Sequence, residues 1–159
     1  MENEITEIVA LTRLGISIVL GLCIGIERQV HKHPAGLRTF TLICFGSTLA
    51  TLASIYICQT HTDLINGDPG RIAAQILTGI GFIGAGLIIK NGDGISGLTT
   101  AACIFVSAAI GITVGVGMYL VAAVSTVVVV IILMASAMYK VKEKREKRKE
   151  EKEKDKVEI

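Results

Sequence analysis

Apolar residues fill most of this chain in long unbroken stretches, without the alternation or the single apolar stripe of a soluble fold. The first stretch covers about Ile8 to Ile26 and is interrupted only by Arg13. The second runs from about Thr39 to Cys58 and the third from Ile72 to Ile89. From Gly94 to Tyr139, 46 residues pass without a charge. A helix needs about 20 mostly apolar residues to cross roughly 30 Å of hydrocarbon, so this last run is too long for one crossing and sufficient for two. Gly111, Gly115 and Gly117 supply permissive backbone for a reversal, which divides it at about Leu98–Val114 and Met118–Met138. Membrane-spanning strands would alternate over segments of about ten residues, and these do not. The pattern predicts an all-α membrane protein, a bundle of five transmembrane helices with short loops.

Charge sharpens the picture through its distribution. The 16 basic and 14 acidic residues look balanced, yet 17 of the 20 residues from Lys140 to Ile159 are charged. A soluble domain is about a quarter charged, and the preceding 139 residues fall below a tenth. That excludes a cytosolic enzyme, a nucleic-acid module and a disulfide-stapled secreted domain. Residues 1–139 therefore read as a transmembrane domain and 140–159 as a charged tail. The tail has almost no apolar stripe. It suits a solvated extension of the fifth span supported by i,i+4 Glu–Lys pairs, or a contact with anionic headgroups. Interleaved acids argue against a nucleic-acid arm.

Lys and Arg accumulate on the cytoplasmic side of membrane proteins. Arg28, Lys32 and Arg38 lie in the first linker, Lys90 and Asp93 in the third, and Asp63, Asp68 and Arg71 in the second. Five spans put linkers one and three on the side of the tail, which then holds 14 of the 16 basic residues. The expected orientation is N-terminus outside and C-terminus cytoplasmic. The first span is preceded by Glu2, Glu4 and Glu7 and is too long for a signal-peptide core, so it is expected to stay in place.

Several motifs bear on chemistry. Cys23, Cys44, Cys58 and Cys103 form no C-x-x-C pair and read as small buried hydrophobes. His31-Lys32-His33 lacks a third ligand and reads as a loop. Gly79-Ile-Gly81-Phe-Ile-Gly84 satisfies G-x-G-x-x-G, but it lies within a span, with no strand before it and no acid about 20 residues on. Its use is packing, because lipid gives helices no hydrophobic reason to associate and small residues let backbones meet. Gly79 and Gly86 share one face while Gly81 and Gly84 line the other, which predicts an enclosed, central third span. A third span broken at these glycines and lining an ion path is the alternative. Gly21-x-x-x-Gly25 and Gly111-x-x-x-Gly115 make single packing faces.

Polar groups at membrane depth are costly and draw attention. Arg13, Asp68, Arg71 and Gln75 are expected to converge near the outer surface, with Asp68 capping the third span. Glu27, Arg28, Arg38, Lys90 and Asp93 could converge near the inner one. Each cluster suits structural ion pairing or a small polar cavity for an ion or a partner. Magnesium prefers oxygen ligands, and Glu27, Asp68 and Asp93 are the candidates, all near span ends. No nucleophile–base pair and no cofactor motif is visible, so an enzyme is not expected.

Five motifs stand in order: Gly25-Ile-Glu27-Arg28, Pro34-Ala-Gly36-Leu37-Arg38-Thr39, Asp68-Pro69-Gly70-Arg71-Ile-Ala-Ala-Gln75, Gly79-Ile-Gly81-Phe-Ile-Gly84-Ala-Gly86 and Gly97-Leu98-Thr99-Thr100. In these the chain, over about Leu20 to Tyr119, resembles the MgtC/SapB family of bacterial and archaeal inner-membrane proteins. It departs from the family at Phe105, where tryptophan is frequent, and in its charged tail, where longer members carry a folded cytoplasmic domain. The resemblance implies a role in growth at low magnesium and, in virulence-associated members, survival inside host cells. It implies a regulator of the membrane ATP synthase or of a transporter, with self-association into a homo-oligomer open to it. The competing expectation is a channel or carrier for magnesium or another cation. Carrier sites lie near the midplane, and the candidate acids do not.

Overall fold

The computed structural model describes residues 5–60, 68, 70–92, 94–136 and 138. Asp93 and the tail 140–159 lie outside the described residues. Five helices are formed: α1 (Glu7–Val30), α2 (Leu37–Thr60), α3 (Gly70–Ala85), α4 (Leu98–Gly115) and α5 (Tyr119–Ser136). All but α3 are long and apolar enough to cross a membrane. Their outward faces are apolar: Phe82 is 84% exposed and Leu120 78%. Such surface on every side suits lipid and not water. The protein is a membrane protein built of helices.

Two departures from the sequence reading concern the third span. α3 has 16 residues, about 24 Å at 1.5 Å per residue. It ends at Ala85, four residues before the apolar run does. The chain then forms a two-stranded antiparallel hairpin, β1 (Ile89–Asn91) with β2 (Gly94–Ser96), which the all-α expectation lacked. Asn91 pairs with Gly94, leaving a two-residue reversal, and Gly92 takes φ +57°. That is the backbone two-residue hairpin turns demand. Gly97, at φ +88°, returns the chain into α4 and lies against the Leu87 carbonyl, where no side chain would fit.

The core is built on α2 and α4, which run parallel. The Cys44 thiol donates to the Ser107 carbonyl and Thr48 Oγ1 to the Gly111 carbonyl at 2.7 Å. Further along, Thr51 lies against Gly115. A Cβ on Gly111 would stand 2.5 Å from the Cys44 carbonyl oxygen, and one on Gly115 would stand 2.6 Å from Thr51 Cβ. α1 packs antiparallel on α2 in the same manner. A Cβ on Gly21 would come within 2.8 Å of Thr41 Cα, and on Gly25 within 2.6 Å of Leu37 Cα. Both expected single glycine faces are thus close contacts with a neighbouring helix, through backbone at Gly21, Gly25 and Gly111 and against the Thr51 side chain at Gly115, the small-residue packing that membranes favour. In α5 the buried Ala122, Thr126 and Leu133 fall on one helical stripe.

The glycines of α3 behave otherwise. Among the described residues, no atom from beyond its own helical turns lies within 4 Å of a Cβ built on Gly79 or Gly81, Gly86 meets only carbonyls of its own turn, and Gly84 alone faces another helix, at Ala101 of α4. Only Ile80 and Gly84 of this helix are buried. α3 is peripheral and not central. The reason is geometric: Gly111 and Gly115 let α2 and α4 meet directly, leaving no space between them for another helix. Gly111 and Gly115 are also not the reversal. That falls at 116–118, where Gly117 takes φ +94°.

Candidate functional site

At the end of the bundle where α1 begins, Arg13 is the one cation on α1's opening half. Its Nε donates to the Tyr119 hydroxyl at 3.1 Å and its Nη1 to the Gly115 carbonyl at 2.7 Å. The last carbonyls of a helix lack intrahelical partners and carry the negative end of its dipole. Arg13 therefore staples α1 to the close of α4 and the start of α5. Asp68 does something different. Its Oδ1 accepts the Gly70 N–H at 2.8 Å, and its carbonyl accepts the Arg71 N–H at 3.1 Å. It caps its own helix, as expected. Arg71 and Gln75 lie exposed one turn apart on α3. α1 and α3 are not packed against each other, so the expected cluster divides: Asp68, Arg71 and Gln75 stay on α3, and Arg13 belongs to α4. Nothing in residues 111–117 advertised that acceptor except the Gly115-x-Gly117 helix stop and the tyrosine beyond it.

At the opposite end, Glu27 and Arg28 are 8% and 2% exposed. Neighbours in a helix do not normally face each other, yet here both Glu27 oxygens are engaged by one guanidinium. Arg28 Nε donates to Oε2 and Nη2 donates to Oε1 at 2.9 Å. His31, read as a loop residue, joins the pair: its Nδ1 lies 2.9 Å from the Glu27 carbonyl oxygen and 3.2 Å from Oε1. A charge buried at a membrane boundary is tolerated only when paired, and this pair is self-contained. Arg38 and Lys90 are exposed, on α2 and β1, and do not enter it. Of the inner cluster, the structure brings together Glu27 and Arg28 alone among the described residues.

For a metal, the candidates do not converge. Glu27 is committed to Arg28, and Asp68 sits at the far end of the bundle on the Gly70 amide. Among the described residues no three His, Cys, Asp or Glu side chains gather.

The family model for the MgtC family matches residues 14–141. YhiD of Escherichia coli K12, whose name makes it a candidate magnesium transporter, is 48% identical over 105 residues, covering 65% of this chain and 49% of its own. SapB of Bacillus subtilis 168 is 43% identical over 108 residues, 66% of this chain and 47% of its own. MgtC of Salmonella typhimurium LT2 is 42% identical over 115 residues, 72% of this chain and 47% of its own. The chain spans about half the length of these curated relatives. No solved structure matches it. With close approaches at Gly21, Gly25, Gly111 and Gly115 and a matched stretch reaching from α1 to beyond α5, the chain belongs to the MgtC family.

Proposed function

We propose that this chain is a non-enzymatic inner- or plasma-membrane protein of magnesium homeostasis that acts by docking a membrane partner. Its family and the name of YhiD support the magnesium link. The ATP synthase membrane subunit or a transporter is the partner the family resemblance suggests. One observation carries the docking reading. Ala74, Thr78, Gly81 and Ala85 fall on one face of α3 at spacings of four, three and four residues, and all are exposed. A small-residue face without a neighbour is the surface another helix can approach closely in lipid. A second copy of the chain could use the same face.

Five crossings, with the N-terminus outside and the C-terminus cytoplasmic, complete the proposal. The parallel run of α2 and α4 supports it, because the chain between them must return across the bundle. α3 and the segment 86–88 make that return, and the hairpin then lies at headgroup level. The 14-to-2 division of basic residues supports the orientation.

A magnesium carrier is the second reading, favoured by the name of YhiD. Glu27 and Asp68 argue against it here, since Glu27 gives both carboxylate oxygens to Arg28, Asp68 gives Oδ1 to the Gly70 amide, and both stand at helix ends and not midway along a span. Gly81→Leu tests the docking reading, because its Cβ meets nothing in the fold. The expected result is thermal unfolding in detergent no lower than wild type, with loss of growth in low magnesium and of partner co-purification. Wild-type growth would sink the reading.

A further inference from the structure

Two cavities meet at Arg38 and Thr39. One, of about 600 Å³, is an apolar groove between α2 and α3 that passes Ile43 and Gly46 on one wall and Ile76 and Gly79 on the other. From Arg38 to Ser47 it follows α2 for about 14 Å. α2 and α3 touch sparsely along it. The second cavity, of about 470 Å³, is lined by Gln29, Lys32, His33, Gly36 and Arg38 and wraps the start of α2.

The electrostatics of the second cavity are unbalanced. Lys32 and Arg38 are exposed and bring two cations to the amino end of α2, where the helix dipole is already positive. The first turn of α2 holds no acid. Among the described residues neither cation has an ion-pair partner, and Glu27, on the preceding helix, is taken by Arg28. Lys32 holds φ +55°, a left-handed backbone that side chains with a Cβ disfavour. Cations gathered at a helix start make a site for an anion. An isolated anion would leave the adjoining apolar groove unfilled.

We propose that the two cavities together form a site for an anionic glycerophospholipid. The phosphate sits against the Lys32 and Arg38 side chains and the Arg38 and Thr39 amides of α2, the Leu37 N–H being donated to Gln29 Oε1 at 3.4 Å, and one acyl chain lies in the groove between α2 and α3. The lipid supplies the packing that α2 and α3 do not give each other. This reading depends on the membrane setting of the bundle and not on the partner or the magnesium link.

The full chain, purified from nanodiscs of equimolar phosphatidylcholine and phosphatidylglycerol, is analysed for retained lipid by native mass spectrometry. Phosphatidylglycerol is expected to be retained over phosphatidylcholine. Lys32→Gln and Arg38→Gln should each reduce that preference about fivefold, the worth of one basic residue near an anionic surface. Gly79→Leu, with open space around its Cβ, should keep the helix content and melt no lower than wild type in lipid-free detergent, while blocking retention of lipid and losing the rise in melting temperature that phosphatidylglycerol gives. Inorganic phosphate alone should not raise the melting temperature as phosphatidylglycerol does. Equal retention of the two lipids would overturn the proposal, as would unchanged retention in the variants. Matching stabilisation by phosphate, or a second polypeptide cross-linked through position 79 in place of lipid, would do the same.

Discussion

Glu27 and Arg28 show how one residue's neighbour decides its meaning. As a Glu-Arg pair at the end of an apolar run they read equally as cluster members or as loop charges. The structure buries both and closes them on each other. Removing one partner of a buried pair costs about 3–5 kcal/mol, because the other charge is left uncompensated, while replacing both by apolar groups is often neutral. Glu27→Gln keeps the shape and an acceptor oxygen and deletes the charge. It is expected to lower stability in detergent by about 3 kcal/mol, and adding Arg28→Met should recover most of that. A single variant that unfolds with the wild type would show the pair to be solvated. The sequence made Arg13 visible for the same reason, as a charge inside a span, but not its partner. Of its two acceptors, the Tyr119 hydroxyl and the Gly115 carbonyl at the close of α4, the nearer is backbone, and no side-chain pattern marks a carbonyl.

At the scale of elements, glycine spacing was legible and glycine environment was not. Gly21-x-x-x-Gly25 and Gly111-x-x-x-Gly115 face other helices, while Gly79 and Gly81, equally regular, face open space. Spacing fixes which residues share a face. Which face meets another helix depends on the whole bundle. The difference has a measurable consequence. Gly111→Ala would set a methyl 2.5 Å from the Cys44 carbonyl oxygen and should cost about 1–3 kcal/mol by overpacking. Gly81→Ala meets nothing and should gain up to about 1 kcal/mol of helix propensity. Thermal unfolding of the two variants in detergent checks the ordering, and equal melting would refute it. The hairpin was open to the same reading: Gly92-Asp93 flanked by isoleucine-bearing segments is a two-residue hairpin signal. Reading the linker only as a connection between spans passed over it.

For the whole molecule, hydropathy located five apolar segments, and the helices found begin and end close to them except at the close of α3. The third span was expected to reach Ile89, whereas α3 stops at Ala85 and the hairpin takes up Ile89. The proposed orientation is open to direct labelling. In a cysteine-free background, Thr60→Cys at the close of α2 and Lys90→Cys in the hairpin should behave oppositely toward a membrane-impermeant maleimide in intact cells. Thr60→Cys should react and Lys90→Cys should not. The reverse pattern would invert the proposed topology.

The central claim is that the protein works by contact and does not itself carry magnesium. The purified chain alone, reconstituted in liposomes loaded with a magnesium-sensitive dye, tests it most directly. With magnesium added outside, dye response should match that of empty liposomes. Selective magnesium entry above that background, saturating with concentration, would contradict the claim and make the carrier reading the correct one.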